Sequence, residues 1–210
     1  MCTHIHRYDV RITFASLVLT AGISGLLSFA LLAAAIGSEY WYIIEMTPLN
    51  QSGFEDMNSH SGLWRSNEGG KVYSFTADYS IYSESELYIL NLHSVIVVVL
   101  PLSLVLLVFG GICGLVSSLA QSPVLLVCTA SYFFTCSLLT LSGMVLYIIY
   151  SYLALAETER LLGPEGLVGV STSFGWSTIL AWLSYGLEVL SGLLLLTAAH
   201  KVKPDRPTVP

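Results

Sequence analysis

Apolar residues gather into four unbroken runs along this chain, at residues 12–36, 95–119, 123–150 and 173–199. Each exceeds the roughly 20 residues that carry a helix across about 30 Å of hydrocarbon. The pattern predicts spanning helices at 12–36, 93–119, 123–150 and 173–199, joined by a tight turn at 120–122 and by larger polar loops at 37–92 and 151–172. Helix ends are marked locally. Ser83 reads as an N-cap with Glu86 three residues on, and Tyr82 and Leu87 stand where a hydrophobic staple would close. The second helix should therefore begin about three turns before its apolar run and project from the bilayer. Ser122-Pro123 is an N-cap followed by Pro at the first helical position. The third helix can continue through 151–162 to a stop at Gly163-Pro164. That length, about 40 residues or ~60 Å, is twice the hydrocarbon thickness.

The first loop reads as strands. Residues 39–44 are aromatic and β-branched, 62–65 are short and apolar, and 71–76 are β-rich after a Glu-Gly-Gly turn signal. Residues 166–172 of the second loop add one more candidate. So small a sheet cannot bury enough surface alone and needs the projecting helices or the membrane behind it. Leu63 and Trp64 are read as the anchors that dock it there. Trp41, directly past the first span, fits docking and an interfacial aromatic belt equally. The fold class is thus an all-α membrane protein, a four-helix bundle with a small extracellular β-sheet.

Composition agrees and fixes the orientation. Charged residues make up 10% of the chain and hydrophobic ones 54%, where a soluble domain carries roughly a quarter charged. Five of the eight basic residues, Arg7, Arg11, Lys201, Lys203 and Arg206, lie at the two ends. The positive-inside rule then places residues 1–11 and 200–210 in the cytosol and both large loops outside. Those loops hold eleven of the fourteen acidic residues, so the net charge of −6 belongs to them and gives no footing for nucleic acid. The first apolar run, about 25 residues, exceeds the 7–15 of a signal-peptide core, so it is read as retained.

Candidate chemistry is sparse. The four cysteines, Cys2, Cys113, Cys128 and Cys136, all fall in cytosolic or intramembrane segments, so no extracellular disulfide is expected. Cys113, near the inner face, is a weak candidate for palmitoylation. Asn50-Gln51-Ser52 is an N-glycosylation sequon in the outer loop. Glu188 is the one ionisable residue deep inside a span, and it shares a face of small residues with Ser177, Ala181, Ser184 and Gly192. Gly110, Gly114 and Ser118 offer a matching stripe on the second helix. Glu188 is expected to be a neutral, hydrogen-bonded packing residue, because at that depth the spans supply no further polar partners for an ion path beyond scattered Ser and Thr. No nucleophile, metal-ligand or phosphate-binding pattern occurs, so no catalytic residue, metal or cofactor is expected. His4, third after removal of Met1, has a copper-binding spacing but reads as solvated, as does His6.

Trp41 followed by Gly62-Leu63-Trp64, within four spans and a large first loop, resembles the claudin superfamily. That group holds the claudins, the peripheral-myelin-protein-22 and epithelial-membrane-protein group, and the calcium-channel gamma subunits. The likeness covers roughly residues 20–200, including the stretch Ser173-Phe174-Gly175-Trp176. It implies a plasma-membrane protein, without enzymatic activity, that acts through contacts with other integral membrane proteins or itself. An auxiliary channel subunit and a junctional adhesion protein are the two finer readings. Two departures bear on the choice. The family's loop disulfide begins three residues past the Gly-Leu-Trp, where this chain has Asn67. Such a disulfide contributes about 2–4 kcal/mol, so a looser sheet is expected. The end, Pro-Thr-Val-Pro, lacks the hydrophobic last residue that junctional claudins offer to PDZ scaffolds, so no such scaffold partner is expected.

Overall fold

A computed structural model describes residues 2–46, 59–68, 71–74, 84–162 and 170–202. Four helices carry the architecture: α1 (Cys2–Gly37), α2 (Glu84–Ala120), α3 (Pro123–Leu162) and α4 (Trp176–Lys201). All four are long and apolar enough to cross a membrane. Helix α1 starts ten residues before its apolar run, since no Gly or Pro in 2–11 interrupts propagation from the span. Helix α2 starts at Glu84, although the Tyr82-Ser83 half of the expected capping box lies outside the described residues. Helix α3 runs 40 residues and ends one residue before Gly163-Pro164. Between α2 and α3, Gln121 takes a left-handed φ of 47°, and the Ser122 carbonyl accepts the Leu126 N–H at 3.1 Å to open α3.

Among the described residues, five short strands form one antiparallel sheet: β1 (Tyr42–Met46), β2 (Ser59–Ser61), β3 (Arg65–Glu68), β4 (Lys71–Ser74) and β5 (Val170–Phe174). Their order is β4-β3-β2-β1-β5. The register pairs Tyr42 with Phe174 and with Ser61, His60 with Asn67, and Arg65 with Ser74. Three expectations are corrected. Of residues 62–65 only Arg65 is in a strand: the Gly62 N–H donates to the Arg65 carbonyl at 2.8 Å, making Leu63 and Trp64 the tip of the β2–β3 turn. The first strand begins at Tyr42 rather than Glu39, because Ser38–Trp41 form the corner leaving α1. The fourth helix begins at Trp176 rather than Ser173, because Ser173 and Phe174 are spent pairing with Ile43 and Tyr42.

The chain divides into two compact units. The sheet unit, Leu32–Leu102 with Thr140–Trp182, contains all five strands and the adjoining helix segments. Its buried side chains include Leu32, Ala35, Trp41, Leu63, Ile96, Leu100, Met144, Tyr147 and Ala181. The helical unit, Met1–Leu31, Ser103–Leu139 and Leu183–Pro210, packs Ala21, Leu107, Leu126, Ala130, Phe133, Leu195 and Ala199 into one cluster.

Candidate functional site

The sheet is held to its helices by a corner where the chain leaves α1. Trp41 is fully buried there, with its ring 4.8 Å from that of Tyr147 on α3. Its indole Nε1 donates to the Ala35 carbonyl at 2.7 Å, closing the end of α1 where helix carbonyls otherwise lack partners. Its backbone joins the sheet and α4: the Trp41 N–H donates to Ser61 O at 3.1 Å, and Trp41 O accepts from Gly175 N at 2.9 Å and Thr178 Oγ1 at 3.2 Å. Ser177 Oγ donates to Ser38 Oγ at 2.7 Å alongside. The two chain segments meet so closely that a Cβ on Gly175 would sit 1.9 Å from Tyr40 O, so only glycine fits.

The Gly62-Leu63-Trp64 turn is seated next to this corner. A Cβ on Gly62 would fall 2.6 Å from Glu39 Cα, which makes glycine obligatory at that crossing. Leu63 is fully buried. His93 of α2, itself buried, reaches the Leu63 backbone and packs its ring 5.0 Å from Tyr150 of α3. Trp64 differs from its expected role as a buried anchor. It is 46% exposed, and its Nε1 donates to Ile36 O at 3.0 Å. At the tip of a tight turn two neighbouring side chains cannot both point into one core; Leu63 occupies it and Trp64 is turned outward. The Trp that docks is Trp41.

His93, Tyr147 and Gly175 complete this anchor; Gly175 was noted only within the family-like stretch, and none was given this role from the sequence. Gly175, one residue before the aromatic that opens the fourth span, carried a usable signal. A lone His at a span's edge and a Tyr among many did not. Asn50 lies outside the described residues.

The small residues of the spans are used within the chain, in pairings other than the expected match of α2 with α4. Gly110 of α2 faces α3, where a Cβ would meet the Tyr132 ring at 3.1 Å, and Gly114 faces Thr129 of α3 at 3.8 Å. Ser117 Oγ and Thr129 Oγ1 share a hydrogen bond of 2.6 Å on the same α2–α3 seam. Ser184 of α4 instead pairs with Ser28 of α1: each hydroxyl donates to the other's carbonyl, at 2.8 and 3.0 Å. A further hydroxyl pair, Ser24 and Ser191, lies at 2.6 Å. Gly192 meets the Phe134 ring at 3.1 Å. Glu188, fully buried, shares the Ser184–Ser191 side of α4. Such hydroxyl pairs and close helix approaches suit lipid-embedded packing, where burial of apolar surface gives helices no reason to associate. Among the described residues, no three His, Cys, Asp or Glu side chains converge as metal ligands would.

Over residues 26–197 the chain matches the family described as PMP-22/EMP/MP20/Claudin tight junction. It belongs to this family. The matched segment contains Trp41 and the Gly62-Leu63-Trp64 turn, together with Gly175 and His93, which complete their seat. Similar curated proteins include the voltage-dependent calcium channel gamma-5 subunits of Mus musculus and Rattus norvegicus. Each is 28% identical over 196 residues, covering 85% of this chain and 68% of the relative. The gamma-3 subunit of Rattus norvegicus is 28% identical over 183 residues, covering 80% of this chain and 56% of the relative. With four apolar helices in a claudin-family chain, the protein is a multi-pass membrane protein.

Proposed function

We propose that this protein is a non-enzymatic plasma-membrane tetraspan that acts beside a larger integral membrane protein, in the manner of an auxiliary channel subunit. Both termini are cytosolic in this reading and the sheet lies outside the cell. The observation that carries it is the likeness to calcium-channel gamma subunits, which extends over 85% of this chain for gamma-5 and 80% for gamma-3. The geometry is compatible. Corner, turn and α4 start are tied by hydrogen bonds within one chain, and the strands of the sheet all come from that chain. Gly110, Ser184 and Gly192 are consumed inside the fold, which leaves bulky apolar side chains such as Val98, Phe109, Leu115 and Leu183 as the lateral surface. Partner contacts on the spans therefore run through these, not through the glycine and serine stripes.

The test is expression of a tagged full chain in cells lacking junctions, with recovery in mild detergent after surface cross-linking. A stoichiometric channel or receptor subunit is the expected product. Freeze-fracture strands between such cells, with no lateral partner recovered, would replace this reading with the junctional one.

A further inference from the structure

Three rings from three separate elements meet on the open side of the sheet unit. Tyr40, in the corner after α1, stacks face to face on His60 of β2, with centroids 4.7 Å apart and planes 9° apart. Tyr40 also meets Trp176, the first residue of α4, at 6.1 Å and 30°. This is not a core: Tyr40 and Trp176 are 42% and 49% exposed. Clustered apolar area left open in this way marks a contact surface.

The position of the cluster along the helices identifies what it meets. Tyr40 follows the end of the apolar segment Thr13–Gly37 by three residues, and Trp176 opens the segment Trp176–Lys201. Trp64 is held at the same level by its bond to Ile36 O, one residue before the first segment ends. Where such segments end, hydrocarbon gives way to headgroups, and Trp and Tyr favour that layer because each has an apolar body and a polar tip. The exposed side of α4 continues from Trp176 through Ile179 and Trp182, a run of large apolar side chains at helical spacing that suits lipid. The ring cluster is the end of that lipid-facing stripe.

We propose that Tyr40, His60 and Trp176 form a platform embedded in the phospholipid headgroup layer of the leaflet on the sheet side. Strand β2 then rests on the membrane through His60 instead of standing clear in water. The inference concerns the membrane alone and does not depend on which protein partner the chain has.

The test uses the full chain reconstituted in phosphatidylcholine vesicles, with tryptophan fluorescence as the readout. Three probes are compared: phosphatidylcholine with a nitroxide on its headgroup, phosphatidylcholine with a nitroxide deep on its acyl chain, and aqueous iodide. The signal of Trp176 is the difference between the native chain and Trp176→Phe. A second reporter, His60→Trp in the Trp176→Phe background, reads the strand itself, and Tyr40→Trp in that background serves if the first does not fold. The headgroup nitroxide should quench each reporter at least twofold more than the deep nitroxide, and iodide should quench least. Iodide as the strongest quencher at either position would show the sheet standing in water and overturn the proposal. The deep nitroxide as the strongest would overturn it equally, by placing the rings in hydrocarbon.

Discussion

Replacing the two tryptophans one at a time separates the buried anchor from the exposed one. Trp41 is fully buried, so Trp41→Ala removes a whole indole from the core, about 3–5 kcal/mol for such truncations. Loss of its bond to Ala35 O adds about 1 kcal/mol, because the carbonyl still accepts from the Ser38 N–H at 3.3 Å and is not orphaned. Trp64 is 46% exposed, so about half as much area is at stake, about 2 kcal/mol of burial, with about 1 kcal/mol more for its bond to Ile36. At about 2–4 °C per kcal/mol for a chain of this size, Trp41→Ala should lower the melting temperature by roughly 10–20 °C and Trp64→Ala by roughly half that. Trp41→Phe keeps a ring against Tyr147 and should fall between them. The assay is thermal unfolding of purified protein in one detergent, followed by far-ultraviolet circular dichroism. A Trp64→Ala loss equal to or greater than that of Trp41→Ala would refute the assignment of Trp41 as the anchor.

Gly175→Ala should be far more disruptive than Gly186→Ala, since a Cβ meets Tyr40 O at 1.9 Å in one case and nothing within 4 Å in the other. The Gly186 change should be neutral or stabilising by up to about 1 kcal/mol in the same melting assay, and equal effects would refute the close crossing. Glu188→Gln keeps a donor and an acceptor among the α4 serines and should melt near the native chain, while Glu188→Leu should lose about 1–3 kcal/mol. Proton or ion currents that vanish in the Gln variant would show that Glu188 serves transport instead. Asn50→Gln should abolish an endoglycosidase-sensitive mass shift in cells, and antibody reaching a C-terminal tag on intact cells would overturn the proposed orientation.

The four helices were legible because lipid imposes a strong rule on sequence: a spanning segment needs a long, predominantly apolar stretch, and each of these has one. The stop of α3 before Gly163-Pro164 and the opening of α3 at Ser122-Pro123 were readable too, since caps are local chemistry. The strands were found only approximately. Apolar character marked 62–65 as a strand, whereas Gly62 closes a turn there with Arg65, and a two-residue turn with large side chains looks like a strand in composition.

What the sequence determined by itself is therefore what rests on composition and caps along the chain: four spans, both ends of the third helix, and the presence of β-rich segments in the loops. What only tertiary structure decided is orientation across elements. Trp41 and Trp64 are the same residue type in the same loop, yet one is enclosed by Tyr147, Ala35 and the α4 start and the other faces outward. The small residues of α2 and α4 share a helical spacing that shows they lie on one face, but not which helix that face meets. Helix α2 packs against α3 through Gly110 and Gly114, and α4 against α1 through Ser184 and Ser191. In a bilayer the apolar surroundings are the same on every side of a helix, so hydropathy carries no direction. Partner choice falls to hydroxyl pairs and close contacts that exist only once the helices have met.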